Sequence, residues 1–94
     1  MGDVHLTGEL VCGNEREAAL VEEHLPAHIA LTAAEPGCLS FEVTRIGDSM
    51  IWQVEERFRS EAAFRAHQER VTSSEWGRKT AGITRNYVVE WPSS

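Results

Sequence analysis

In AAFRAHQERV, residues 62–71, a titratable ring sits where a helix faces its core. At about 100° per residue, Ala63, Phe64, His67 and Val71 share one apolar arc, while Arg65 and Glu69 point away. Burying an imidazole without a partner costs on the order of 1–3 kcal/mol, so this one needs a hydrogen bond. Two readings follow. His67 is structural, bonded to Glu56 or a backbone carbonyl, or it is a general base that takes a phenolic or enolic proton in a dry pocket. Glu56 poses the same question from a strand. In MIWQVEERF, residues 50–58, alternation puts Met50, Trp52, Val54, Glu56 and Phe58 on one face, with Ile51, Gln53, Glu55 and Arg57 on the other. A glutamate among apolar neighbours calls for a donor or a cation, with His67 or an arginine the natural candidate. Paired with His67, it raises the imidazole's pKa and selects its tautomer. The candidate catalytic pair is therefore His67 and Glu56.

The rings supply walls. Phe41, Trp52, Phe58, Phe64 and Trp76 are mostly core, yet this many rings under two helices can leave a slot for a flat ligand. His28, next to Ile29 on the first helix, can border that slot. His24 and His28 stand i, i+4, a spacing that suits metal ligands, but Pro26 lies between them and no third ligand is near in sequence. No metal site is expected. His5 alternates to the outer face of its strand, where a subunit contact accounts for it. A glycine-rich phosphate loop, a Cys-x-x-Cys pair and a serine-centred elbow are all absent.

These residues need elements to hold them. VHLTGELVC, residues 4–12, alternates as a half-buried strand with Gly8 as a bulge or close-approach point. Asn14 and Glu17 form a capping box ahead of a helix running to about Ala34, with a stripe of Ala18, Val21, Leu25, Ile29 and Thr32 or Ala33. Pro26 is expected to kink that helix or split it. EPGCL ends it, with Gly37 read as a left-handed turn. Residues 39–45 form a second strand with Leu39, Phe41 and Val43 on one side, IGDS turns the chain, and 50–58 is the third strand. Ser60 caps a helix over 61–70, a short helix restarts at Ser73 or Ser74, and 83–91 is the last strand, stopped by Pro92. The order β-α-β-β-α-β predicts an α+β, ferredoxin-like fold: a four-stranded antiparallel sheet with the helices on one face.

Size and charge narrow the classes of function. The 94 residues read as a single domain, 1–94. A chain this short buries only roughly 60–65% of its unfolded surface, so a partner subunit would help it. A net charge of −6, with nine scattered basic residues, argues against nucleic acid and anionic membranes. No apolar run approaches the roughly 20 residues that span a bilayer. MGDVHLTGELVC alternates instead of forming a signal-peptide core, so a cytoplasmic location is expected. Cys12 and Cys38 fall at opposite ends of the sheet in this topology and are expected to be reduced.

EPGCLSFEV, then a hairpin, then VEERFRSEAAFRAH, resembles the antibiotic biosynthesis monooxygenase (ABM) domain family. That pattern is a helix ending Glu-Pro-Gly-Cys, a strand with a buried aromatic, a strand ending Glu-x-aromatic and a helix carrying Ala-x-x-His. Here the matching residues are Glu35–Cys38, Phe41, Glu56 with Phe58, and His67, and the resemblance covers about 4–91. It implies a dimeric α+β barrel, a homodimer joined through its sheets. It also implies, as in several members, oxidation of aromatic quinols or anthrone-like polyketides by O2 without metal, flavin or haem. Positions that carry Asn, Trp and Tyr in the polyketide-oxidising members fall on Val54, Phe58 and Phe64, which lack their polar handles. No histidine follows His67, where the haem-degrading members have a ligand. The expected function is therefore a cofactor-independent monooxygenase-like protein acting on a small aromatic or quinol-type molecule. The alternative is a non-catalytic dimer that holds a small hydrophobic ligand, as in a stress response.

Overall fold

A computed structural model describes residues 2–92. Alternating sequence builds four strands, β1 (Val4–Val11), β2 (Cys38–Arg45), β3 (Ile51–Phe58) and β4 (Thr84–Glu90). They pair antiparallel in the order β2-β3-β1-β4, with Leu6 opposite Glu56 and Val89, and Phe41 opposite Glu56. Three helices complete the chain: α1 (Glu15–Ala33), α2 (Glu61–Thr72) and α3 (Glu75–Lys79). This is the expected ferredoxin-like arrangement. Val4, Leu6, Leu10, Cys12, Trp52, Val54 and Phe58 are buried on the helix-covered face of the sheet. Cys12 and Cys38 are both free. Among the described residues no helix is long and apolar enough to cross a membrane.

Each helix starts where the side chains satisfy its first N–H groups. Asn14 Oδ1 accepts from the Glu17 N–H at 2.9 Å, and the Glu17 carboxylate accepts from the Gly13 N–H at 2.7 Å. Ser60 and Ser74 cap α2 and α3 in the same way, accepting from the Ala63 and Gly77 N–H groups.

Four local expectations are corrected. Pro26 does not split α1: the helix is continuous from Glu15 to Ala33. Pro26 and Glu22 both lie on its exposed side, where water can reach the Glu22 carbonyl that Pro26 cannot serve. The buried stripe is Ala18, Val21, His28 and Thr32, with Leu25 packed on the core, so His28 takes the inward place expected of Ile29. Its 3-4-3-4 spacing, and not side-chain hydropathy, follows the helical face. Leu39 does not join Phe41 on the inner side. The β2–β3 register slips between Cys38 and Ser40, and Leu39 is left 53% exposed.

The fourth correction is Gly37, which is not left-handed; among the described residues only Gly8 and Gly47 have positive φ. Gly37 is required by closeness instead. A Cβ there would lie 2.2 Å from the Ala63 Cβ, so any side chain forces the α1–β2 turn off α2. Gly8, at φ +153°, does combine conformation with crowding, since its Cβ would lie 2.1 Å from the Asn86 carbonyl oxygen and 2.9 Å from the Tyr87 ring. Gly37→Ala is expected to lower stability by about 1–3 kcal/mol, as overpacking does. Urea denaturation reads this as a lower midpoint at unchanged slope; an unshifted midpoint would show that the turn has room to spare.

Candidate active site

α2 turns His67 inward, next to Phe64, leaving the imidazole 2% exposed. Its Nδ1 lies 2.7 Å from Glu35 Oε1, in the turn that follows α1. The other Glu35 oxygen accepts from Arg70 Nε, and Arg70 Nη2 donates to Thr32 Oγ1 at 3.1 Å. One network thus ties the end of α1, the turn and α2 together. The expected partner is corrected accordingly: Glu56 Oε1 stands 3.7 Å from His67 Nε2, too far for a hydrogen bond. A carboxylate that bridges an arginine takes a donor on its second oxygen. Nδ1 therefore carries the proton and Nε2 is the bare nitrogen. Burial pulls the His67 pKa down, the Glu35 hydrogen bond and charge pull it back, and the net direction is downward. That direction favours the neutral ring, a base.

Between the inner face of the sheet and the helices lies a pocket of about 130 Å³. Of the residues singled out from sequence, His67, Glu56, His28, Phe41, Val54 and Trp76 line it. Gln68 is its one exposed lining residue and marks where it meets water. Burial, aided by the Glu35 charge, pushes Glu56 up to about 7 against the pull of Arg85. Burial and the neighbouring His67 push His28 down to about 3, so it stays uncharged. The His28 ring stacks on Trp76, centroids 4.6 Å apart. His28 Nδ1 and Glu56 Oε1 are buried with no hydrogen-bond partner among the described residues. Two such atoms on one small pocket are what a polar ligand would satisfy.

Trp52, Phe58 and Phe64, expected at the wall, stand behind it instead. Trp52 is buried beneath the Arg45 guanidinium, and Phe58 packs edge-on against Phe64 while its ring centroid lies 4.8 Å from that of His67. Phe58 thus backs the imidazole, with Phe64 packed against it in turn. His24 lies beside Glu75 and Glu23. Among the described residues no three His, Cys, Asp or Glu side chains gather as metal ligands. His5 lies on the outer face of the sheet beside Glu55 and Glu90.

The sequence reading missed Glu35, Arg85 and Tyr87. Inward alternation along β4 marks the last two, since Arg85 and Tyr87 share a face with Val89. Arg85 is held by the Thr80 and Ile83 carbonyls and by Thr80 Oγ1, and burial pushes the Tyr87 phenol up to about 12. Glu35 has no periodic signal, because it sits in a turn 32 residues from His67; its one mark in the sequence is its place at the head of the Glu-Pro-Gly-Cys pattern. Together these groups offer a bare nitrogen, a carboxyl that is half protonated near neutrality, and a fixed cation.

Glu56 also sets a pH dependence. Its folded pKa of about 7 lies above the ordinary carboxylate value of 4.5, so the native state holds more protons between those values and this group's contribution to stability falls as pH rises through them. Glu56→Gln should therefore gain, relative to wild type, on the order of 3 kcal/mol more at pH 8 than at pH 4.5. Urea denaturation of both proteins at the two pH values measures it, and equal differences would place the carboxyl in water.

The family model described as antibiotic biosynthesis monooxygenase matches residues 13–79. Among solved structures, Rv0793 from Mycobacterium tuberculosis is 21% identical at TM-score 0.74, over 99% of this chain and 97% of that one. PA3566 from Pseudomonas aeruginosa is 20% identical at TM-score 0.76, over 100% and 97%. A Nitrosomonas europaea protein named for antibiotic biosynthesis monooxygenase is 16% identical at TM-score 0.81, over 98% and 92%. At these identities the likeness is one of fold. No protein of curated function matches the chain.

Proposed function

The chain belongs to the antibiotic biosynthesis monooxygenase family, and from that premise we propose that it oxidises a small quinol-type aromatic with O2, without metal, flavin or haem. One observation carries the reading: the bare Nε2 of a neutral, clamped imidazole borders a pocket the size of a single ring. An engineered apolar cavity of about 150 Å³ accepts benzene, so the roughly 130 Å³ here suits one ring and not a fused tricycle.

The chemistry runs as follows. Nε2 of His67 takes the proton of a phenolic hydroxyl, leaving an electron-rich phenolate whose charge the Arg85 cation offsets. One electron passes to O2, and the radical pair collapses with a new C–O bond to a peroxide on the ring. The O–O bond then breaks. One oxygen stays on the ring carbon that bore hydrogen, as a new carbonyl, and the other leaves as water, taking that ring hydrogen and the proton held by His67. A quinol and O2 thus become a hydroxyquinone and water, with the substrate supplying every electron. The protein contributes position and exclusion of water.

A second reading, a non-catalytic protein that holds such a ligand, is favoured by Val54. Of the three places where polyketide-oxidising relatives carry polar groups, only position 54 reaches the pocket, and it is apolar. The proposal extends to a cytoplasmic homodimer formed through the outer face of the sheet, where Val88 is 63% exposed. Sedimentation equilibrium should return twice the 10.5 kDa chain mass, and a monomer would remove that part.

Oxygen uptake with hydroquinone, catechol, naphthol and an anthrone tests the activity. Uptake is expected with the one-ring compounds and not the anthrone, and it should fall about 100-fold or more in His67→Ala. Binding of the same compounds without uptake would support the holding protein instead.

A further inference from the structure

Accepting His67 as the base, we infer that Glu35 is its positioning residue: a carboxylate outside the pocket that fixes which nitrogen faces the substrate and balances the charge the ring acquires.

The geometry is that of a partition. His67 borders the pocket on one side and, on the other, an external groove of about 390 Å³ formed by the Glu35–Gly37 turn and the adjoining face of α2. Nε2 looks toward Glu56 and the pocket; Nδ1 looks toward Glu35. The two nitrogens therefore have separate tasks. A hydrogen bond at Nδ1 excludes the tautomer that would put a hydrogen on Nε2, where the substrate's proton must go.

Glu35 is itself held. Arg70 grips its second oxygen and is braced by Thr32, so the carboxylate cannot swing away. It is also not sealed in. The Glu35 side chain is 17% exposed against 2% for His67, so its charge retains contact with water while acting on a buried ring. When Nε2 accepts a proton, the imidazolium meets Glu35 at hydrogen-bond distance. The other charged or titratable groups beside the ring or on its pocket are Arg70 on α2, Glu56 on β3, His28 on α1, and Arg85 and Tyr87 on β4. Arg70 opposes a positive ring, and among the described residues only Glu35 bonds to it. Glu35 needs no contact with substrate to do this.

Two-bond ¹H–¹⁵N NMR of the full chain reads the assignment without a substrate. In wild type at pH 7, His67 should show a protonated Nδ1 and a bare Nε2. In Glu35→Gln, which preserves size but whose one oxygen is claimed by Arg70 so that the amide N–H2 faces Nδ1, the His67 pKa should fall by about one unit or more, and the single-tautomer signature should be lost. Wild-type protein with a hydrogen on Nε2, or Glu35→Gln with an unchanged tautomer and titration, would overturn the assignment. Should Glu35→Gln not fold, the wild-type tautomer decides alone. These readouts are independent of oxygen uptake, so an inactive protein with the expected tautomer sinks the oxidation chemistry and leaves Glu35 in place. With an active substrate, Glu35→Gln should lower kcat at least tenfold while KM is unchanged; an equal rise in KM alone would assign Glu35 to binding.

Discussion

A buried imidazole must be bonded, and in this chain that demand organises the inner half of the molecule. His67 reaches Glu35, Glu35 is gripped by Arg70, and Arg70 leans on Thr32. The four residues come from α1, the turn after it and α2, so the network fastens the two main helices at one end. Breaking such a chain at any member leaves a buried polar group unpaired, at a larger penalty than the bond itself contributes. The Glu-Pro-Gly turn is therefore as much part of the site as the histidine. Gly37 lets that turn approach α2 closely enough for the bond to form.

Inside the pocket the electrostatics follow from scarcity of partners. Glu56 and His28 are both pressed toward their uncharged forms by burial, and each keeps an atom without a hydrogen bond. A small fold tolerates two such atoms most readily where a ligand completes them. Arg85 supplies the compensating charge, and it is the best anchored of the set: three hydrogen bonds to Thr80 and Ile83 fix a guanidinium that would otherwise swing to water. Gly8 matters here too. With no side chain on β1 at that point, the Tyr87 ring lies across the strand and forms part of the floor.

The two faces of the sheet have different characters. Helices cover one, and a row of polar side chains with Val88 occupies the other. His5, placed among Glu55 and Glu90, shows how that outer face pairs its charges across strands. A contact built there is hydrogen-bonded and wet, unlike the dry packing behind His67.

Local rules determined most of the architecture. Alternation placed the strands, Asn14, Ser60 and Ser74 placed the helix starts, and the β-α-β-β-α-β order left one reasonable sheet. The inward face of α2 and of β3 was legible as well, because period and polarity agree there, and so His67 and Glu56 could be named from sequence. What failed was whatever depends on distance between separate elements. Pro26 lies on the water-facing side of an unbroken helix; Leu39 is displaced by a slip in register; Trp52, Phe58 and Phe64 are buried without lining the pocket. Glu35 became the partner of His67 because tertiary packing carried a turn across 32 residues to meet it, and no pattern in the chain encodes that encounter. Sequence periodicity specifies which way a side chain points. Only the packed fold specifies what it meets, since that depends on ångström-scale separations among elements that are remote along the chain.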